Sequence, residues 1–223
     1  MSKRIFAIGD VHGCFDTLRE LVESEIRLNK ADKLILLGDY IDRGSQSKLV
    51  LDYLIWLLNE GYDINPLLGN HEAMLIDAIK DNYYLWIWLY NGGDATLFSF
   101  NIHSVNELES SYVDFLKGLP LYYQMGDFYF VHAGFNEETD APFKDEEYML
   151  WTCREDYQTP LFSNKTIVHG HCPIRLSSLK SSVMENRKVI DLDTGCVFSG
   201  SKGYGYLTAM ELNSMTLYSV AKI

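Results

Sequence analysis

Residues 34–44 read Leu-Ile-Leu-Leu-Gly-Asp-Tyr-Ile-Asp-Arg-Gly, an apolar run that ends in a polar block. Two similar junctions flank it. Residues 5–13 read Ile-Phe-Ala-Ile-Gly-Asp-Val-His-Gly, and residues 64–72 read Ile-Asn-Pro-Leu-Leu-Gly-Asn-His-Glu. Each apolar run predicts a buried strand, and each polar block predicts a loop at the strand end. Because α/β sheets place their sites at strand ends, the three junctions predict one shared site.

Amphipathic segments separate these strands. The first predicted helix has Asp16 as its N-cap, the second spans about residues 45–59, and the third begins near Glu72. Alternating strands and helices are typical of a parallel sheet whose two faces are covered. Residues 81–120 predict a helical and irregular excursion from this pattern.

The second half of the chain is richer in strand patterns. Gly126-Asp127 predicts a hairpin turn. Further strands are predicted at residues 166–168, 188–192, 207–212 and 216–220. We therefore expect an α/β fold: a β-sandwich with a βαβαβ first half and a mixed second sheet, flanked by helices. The length and the 47% hydrophobic content fit one domain over residues 1–223.

Composition limits the partners and the compartment. The formal net charge of −12 argues against general binding to nucleic acid or to an anionic membrane, which requires a basic face. The densest apolar stretches are too short to span a bilayer. The N-terminal residues lack the apolar region of a signal peptide, and four cysteines are too few for a disulfide framework. We expect a cytoplasmic protein with four reduced thiols.

Two later strand ends extend the set of polar loops. One carries His132, and the other carries His169-Gly170-His171, of which one histidine is expected to be an ordinary buried imidazole. The candidate metal ligands are Asp10, His12, Asp39, Asn70, His132 and His171. This mixture of carboxylate, imidazole and amide donors suits two divalent transition-metal ions, Mn²⁺ first and Fe or Zn²⁺ as alternatives. Such a pair of ions promotes displacement at phosphorus.

The ordered blocks Gly-Asp-x-His-Gly, Gly-Asp-x-x-Asp-Arg-Gly and Gly-Asn-His-Glu, followed by His132 and His171, resemble those of a known family. It is the phosphoprotein phosphatase branch of the calcineurin-like metallophosphoesterases. The likeness is greatest to the compact members of bacteria and phages, of which the bacteriophage lambda protein phosphatase is one. It extends from Ile5 to about Gly200.

The resemblance implies a role for each matching residue. Asp10 and His12 would hold the first metal, Asp39 would bridge both metals, and Asn70, His132 and His171 would complete the second. His71 would be the general acid, oriented by Asp42. Arg43 and Arg154 would bind the phosphate oxygens. Hydrolysis would proceed by direct attack of a hydroxide that the two metals generate, without a phosphoenzyme.

One departure concerns Arg154. The family pattern Trp-x-Arg is replaced by Trp151-Thr152-Cys153-Arg154, which is one residue longer. An extra helical residue would turn the guanidinium away from the phosphate. Cys14 and Cys172 follow site blocks and are interpreted as small filling residues, since they lack the spacing of zinc ligands.

Three functions remain open. The first is a serine/threonine protein phosphatase, which acts on phosphorylated proteins or peptides and on small phosphoesters in vitro. The second is a dinucleoside polyphosphate hydrolase, because residues 192–197 resemble a motif of the symmetrical diadenosine tetraphosphatases. The third is a non-catalytic binding module of the same fold. Acidic loops between residues 81 and 147 favour the first, because they repel a polyphosphate.

Overall fold

The computed structural model describes residues 3–223. Its strands are β1 (Ile5–Ile8), β2 (Lys33–Leu36), β3 (Asp63–Pro66), β4 (Tyr122–Met125), β5 (Phe128–Val131), β6 (Thr166–His169), β7 (Val189–Asp191), β8 (Tyr206–Glu211) and β9 (Thr216–Ala221). They form one sheet in the order β3-β2-β1-β8-β9 and a second in the order β4-β5-β6-β7.

Helices connect the strands and cover the sheets. They are α1 (Phe15–Arg19), α2 (Ser47–Asn59), α3 (Asn70–Lys80), α4 (Asn82–Trp88), α5 (Asp94–Phe100), α6 (Ser110–Lys117), α7 (Glu146–Trp151) and α8 (Leu176–Met184). The π-helical turns Glu20–Glu25 and Leu89–Gly93 extend α1 and join α4 to α5. Across residues 3–223, every helix is too short or too polar to cross a lipid bilayer.

The register of the first sheet aligns its loops. β1, β2 and β3 are parallel, with Ile8 opposite Leu36 and Leu36 opposite Pro66. The three strands therefore end at one level, and the polar blocks after them meet at one edge. β8 pairs antiparallel with β1 and with β9, so the first sheet is mixed rather than wholly parallel.

The second sheet supplies the opposite side of the same edge. β5, β6 and β7 are parallel, with Phe130 opposite Val168, which brings the loops after β5 and β6 together. The two sheets pack face to face through a buried cluster that includes Ala7 and Ile35 from one sheet and Phe130 and Val168 from the other. This is the predicted α/β sandwich with a mixed second sheet.

One local prediction is wrong, and one helix was not predicted. Cys14, not Asp16, is the N-cap of α1, because the Asp16 side chain instead accepts a hydrogen bond from Gln46 Nε2 (2.7 Å). Helix α8 was not predicted, and only Leu179 of that helix is buried. A helix with a single buried residue leaves little periodicity in the sequence.

Candidate metal centre

The loops at the shared edge have an unusual backbone. Five polar residues there have positive φ: His12 (44°), Asp39 (52°), Asp42 (70°), Arg43 (66°) and His171 (70°). Positive φ is costly for residues with a β-carbon, and it persists where surrounding structure enforces it. These residues carry the chemistry of the blocks, so the sharp turns aim their side chains at one another.

The Asp39 carboxylate lies between imidazoles on both sides. Its Oδ2 is 3.4 Å from His12 Nε2 and 3.9 Å from His71 Nε2, while Oδ1 is 3.5 Å from His132 Nε2. Two groups of side chains could each hold a cation, one formed by His12, Asp39 and His71, the other by Asp39, His132 and His171. Asp39 belongs to both, as expected of a bridging carboxylate.

The second group converges closely. Asn70 Oδ1 lies 2.8 Å from His132 Nε2 and 3.0 Å from His171 Nδ1, and these two ring nitrogens are 3.2 Å apart. His132 Nδ1 lies 2.8 Å from the Leu37 carbonyl oxygen, which fixes the ring with Nδ1 as donor. His132 Nε2 then presents a lone pair towards the Asn70 oxygen. Converging lone pairs are what a bound cation requires.

The first group has a similar orienting contact. His12 Nδ1 lies 3.0 Å from the Ile41 carbonyl oxygen, so its Nε2 faces Asp39. Asp10 lies to one side. Its two carboxylate oxygens accept from the His171 backbone N–H at 3.2 Å each, and it does not belong to either of the two groups. A β-carbon on Gly170 would collide with Asp10 Oδ1, which explains the glycine there.

Burial and charge set the protonation of these side chains. Burial lowers the pKa of His12 to about 3 and that of His171 to about 4. Burial likewise lowers the pKa of His132. Burial raises the pKa of Asp39, but His132 and the neighbouring imidazoles outweigh it and the net shift is downward. The neutral imidazoles of His12, His132 and His171 and the ionised carboxylate of Asp39 are in the state that binds metal.

His71 and Asp42 form a buried pair beside the two groups. His71 Nδ1 lies 2.7 Å from Asp42 Oδ2, and that oxygen also accepts from Trp88 Nε1 at 2.8 Å. Thr96 Oγ1 donates to the other oxygen at 2.6 Å. Burial lowers the pKa of His71, but Asp39 and Asp42 outweigh it and the net shift is upward. His71 Nε2 is buried without a hydrogen-bond partner, so it is available to a ligand.

Glu72 supports the backbone beneath the centre. Its carboxylate is fully buried and accepts from the N–H groups of Gly69 (3.1 Å), Asp39 (2.9 Å), Tyr40 (2.8 Å) and Ile41 (3.3 Å). It thereby holds the turn that carries Asp39 against the start of α3. No role was predicted for Glu72, although it stands in the Gly-Asn-His-Glu block. Trp88 and Thr96, which fix Asp42, carry no signal in the sequence.

The two candidate phosphate-binding arginines differ in position. Arg43 is exposed, and its Nη1 lies 2.6 Å from His12 Nε2, at the centre itself. Arg154 pairs with Glu137 through Nη2 (2.9 Å) and lies 3.4 Å from the Tyr148 hydroxyl through Nη1. Within residues 3–223, no hydrogen bond or ion pair joins the Arg154 side chain to a residue of the two groups.

The prediction of four reduced thiols is wrong for two of them. Cys153 and Cys172 form a disulfide, whereas Cys14 and Cys196 are free and buried. The sequence separation of 19 residues hides the proximity of the first pair, which arises because the loops after α7 and β6 adjoin. Of the two histidines after β6, His171 joins the centre, while His169 Nδ1 contacts the Gly170 carbonyl oxygen at 2.9 Å.

The donor set fits two divalent transition-metal ions. It combines a shared carboxylate, neutral imidazoles with fixed orientation and an amide oxygen, and thiolates take no part. His71 Nε2, which has no partner, faces the same space, 3.9 Å from Asp39 Oδ2. An ion beside Asp39 would meet the lone pairs of His12 Nε2, His132 Nε2 and Asn70 Oδ1, while His71 Nε2 stays free to carry a proton.

Known proteins that are similar to this chain include a protein phosphatase and a nucleosyl tetraphosphatase. The chain is 27% identical over 212 residues to the serine/threonine-protein phosphatase 1 of Salmonella typhimurium, covering 89% of each chain. It is 24% identical over 215 residues to the asymmetrical bis(5'-nucleosyl)-tetraphosphatase PrpE of Bacillus velezensis, covering 86% of this chain and 84% of the relative.

A solved structure shares the whole fold. It is the crystal structure of a candidate diadenosine tetraphosphatase, with a TM-score of 0.72, 19% identity, and coverage of 100% of this chain and 95% of the other. The family model described as calcineurin-like phosphoesterase matches residues 3–200. The chain therefore belongs to the calcineurin-like metallophosphoesterases, hydrolases that use divalent metal ions.

Proposed function

We propose that this metallophosphoesterase is a serine/threonine protein phosphatase that hydrolyses phosphomonoesters. Asp10, His12 and Asp39 would hold one ion, and Asp39, Asn70, His132 and His171 the other, with Mn²⁺ as the first candidate. When bound, two such ions polarise the phosphoryl group and supply a nucleophile at neutral pH. The remaining tasks, which are to bind the phosphate and to protonate the leaving group, fall to residues of the chain.

His71 is suited to protonate the leaving group. Asp42 holds Nδ1, and a proton on the opposite nitrogen, Nε2, would point into the reaction space. The upward shift of the pKa of His71 favours the protonated ring at neutral pH. An alkoxide leaving from phosphorus would take this proton. Trp88 and Thr96 keep Asp42, and with it the imidazole, in one orientation.

Arg43 is suited to bind the phosphate oxygens. Its guanidinium is already at the centre, and its backbone N–H donates to the Gly92 carbonyl oxygen at 3.1 Å. A guanidinium fork matches two phosphate oxygens better than an ammonium group does. Arg154 would serve as the second phosphate-binding group only after leaving Glu137.

A groove beside the metal centre supports the proposed substrate class. Trp151 lines it, and the Trp151 ring lies 6.0 Å from the His171 ring. The groove has a volume of about 560 Å³. Leu150, Ile87 and Tyr84 give it apolar walls, and the exposed Glu146 and Glu147 stand on its rim, without a described Lys or Arg.

This combination suits a peptide rather than a polyphosphate. Apolar walls receive side chains that flank a phosphorylated residue, and acidic groups on the rim attract basic ones. The same carboxylates repel a chain of four phosphates. The relative from Salmonella named a serine/threonine-protein phosphatase supports this choice.

The second candidate is a dinucleoside polyphosphate hydrolase. The relative from Bacillus is named an asymmetrical bis(5'-nucleosyl)-tetraphosphatase, and residues 192–197 resemble a motif of the symmetrical diadenosine tetraphosphatases. Asp193 of this motif is buried, and its Oδ1 accepts from the Gly195 N–H at 2.8 Å. The Leu192 carbonyl oxygen lies against the Gly9 backbone. The motif is therefore in contact with the loop that carries Asp10.

Paired kinetics distinguish the candidates. We expect kcat/KM for phosphoserine or phosphothreonine peptides to exceed that for diadenosine tetraphosphate by at least about tenfold, at matched Mn²⁺ and ionic strength. Replacing Glu146 and Glu147 together by Gln should reduce this ratio, whereas Glu185→Gln, at an exposed residue directly after α8, should leave it unchanged. If the parent protein preferred the dinucleotide, the dinucleoside polyphosphate hydrolase would become the first candidate function. Absence of turnover on both substrates would favour a binding module.

A further inference from the structure

The Cys153–Cys172 disulfide stands between two functional elements. Cys172 directly follows His171 of the metal centre, and Cys153 directly precedes Arg154. The Cα atoms of the two cysteines are 6.6 Å apart. A covalent bond therefore joins the backbone of a metal ligand to the backbone of a candidate phosphate-binding residue.

This disulfide is open to solutes. Both cysteines are partly exposed and line an open cavity of about 390 Å³ together with His169 and Arg187. The two free cysteines differ, since Cys14 is 4% and Cys196 is 1% exposed. A dissolved thiol can therefore attack the disulfide while the free cysteines stay shielded, because exchange depends on access to sulfur.

The bond also restrains an irregular segment. Residues 152–158 form neither helix nor strand. Two other anchors hold this segment. Tyr157 is buried and its hydroxyl accepts from the Phe135 N–H at 2.8 Å, and Glu137 accepts from Arg154 Nη2 and from the backbone N–H of Gln158, each at 2.9 Å. With the disulfide closed, the Arg154 guanidinium is thus committed to Glu137 and does not contact the centre.

We propose that Cys153–Cys172 is a reversible thiol-redox site that controls phosphate binding through Arg154. The disulfide form keeps Arg154 on Glu137 and has low turnover. Reduction frees the segment at Cys153, so that Arg154 can leave Glu137 and reach the phosphate. The inference rests on the proposed function, since it assigns Arg154 to the phosphate.

A dithiol reduces the disulfide, and hydrogen peroxide forms it again. A dithiol reductant attacks one sulfur as a thiolate, forms a mixed disulfide, and closes its own ring as the second protein sulfur leaves. Two electrons and two protons pass to the protein, which gains two thiols. Hydrogen peroxide reverses the change by taking two electrons and two protons and leaving as two waters.

The test uses the full chain poised in both redox states. The protein is treated with dithiothreitol or with hydrogen peroxide, desalted, loaded with equal Mn²⁺ and assayed with p-nitrophenyl phosphate. Thiols are counted after alkylation in denaturant by mass spectrometry. Inorganic phosphate binding is measured by calorimetry on the same samples. We expect two more thiols, about tenfold tighter phosphate binding and about tenfold higher kcat/KM after reduction.

Variants distinguish a specific effect of the disulfide on Arg154 from a general loss of structure. Cys153→Ser and Cys172→Ser should match the reduced parent and ignore peroxide, while Cys196→Ala should keep the full response. Arg154→Ala should lose the redox dependence of phosphate binding although its thiols still titrate. Equal phosphate affinity in both states, or tighter binding by the disulfide form, would overturn the proposal. A redox shift in phosphate affinity without phosphatase turnover in either state would instead contradict the proposed function.

Discussion

His71 Nδ1 lies 2.7 Å from Asp42 Oδ2, and the two side chains are 1% and 0% exposed. A buried imidazole beside a buried carboxylate is more basic than the same ring alone, provided the carboxylate stays ionised. Trp88 and Thr96 supply the hydrogen bonds that stabilise that ionised form. Burial nonetheless raises the pKa of Asp42.

Asp42→Asn should shift the pH dependence of turnover. The raised pKa of His71 holds the ring protonated to higher pH than usual, so activity is lost as pH rises through that value. Without the carboxylate the pKa of His71 falls, and the alkaline limb of the kcat profile should move to lower pH. A profile from pH 5 to 10 tests this, and an unchanged alkaline limb would contradict the role of Asp42.

His71→Asn should reduce kcat by roughly 10²–10⁴, the usual contribution of a general acid. Metal content should hold at the parent value, because the other side chains of the two groups remain. The loss should be smaller for p-nitrophenyl phosphate than for an alkyl phosphate, since a good leaving group needs less protonation. Loss of metal in elemental analysis would indicate that His71 is a ligand instead.

Asp39→Asn should impair both metal positions together. One carboxylate serves both groups, with Oδ2 facing His12 and Oδ1 facing His132. We expect bound metal to fall from about two ions per chain towards one or none, with near-complete loss of activity. Asp114→Asn, an exposed residue of α6, is the matched control. Retention of two ions with substantial turnover would refute the bridging assignment.

Trp88→Phe should destabilise the protein while keeping an aromatic ring in the core. Trp88 is fully buried, and its Nε1 donates to Asp42. Loss of a hydrogen bond to a charged group costs about 1.5–3 kcal/mol. Trp86→Phe is the control, because Trp86 is 75% exposed. Equal urea midpoints for the two variants would show that the indole hydrogen bond contributes little.

The residues of the metal centre were easier to predict from the sequence than the residues that hold them in place. Asp39 and His132 follow strong strand patterns, and parallel strands that end at one level must bring such residues together. Trp88 belongs to an aromatic stretch whose other members are mostly exposed, so the sequence does not distinguish the one ring that reaches Asp42. That contact depends on how α4 packs, which is a tertiary property.

In the fold, too, local elements were predicted from the sequence and contacts between distant elements were not. β1 and β2 were predicted because each is almost wholly a continuous apolar run, whereas β3 was predicted from Ile64 and the apolar residues 66–68, although it spans Asp63–Pro66. Their pairing with β8 was not, because antiparallel addition from the C-terminal end leaves no local signal. The Cys153–Cys172 disulfide also depends on the meeting of two distant loops, so the number of cysteines is a poor guide to redox state.

The positive φ angles at His12, Asp39, Asp42, Arg43 and His171 have a consequence for thermostability engineering. Glycine tolerates these angles, so a screen that rewards heat resistance alone would accept glycine at such positions and discard catalysis. Met215, in the turn between β8 and β9, has a similar φ of 58° and no assigned chemistry. A stabilised variant is therefore better sought at that turn than among the loops at the sheet edge.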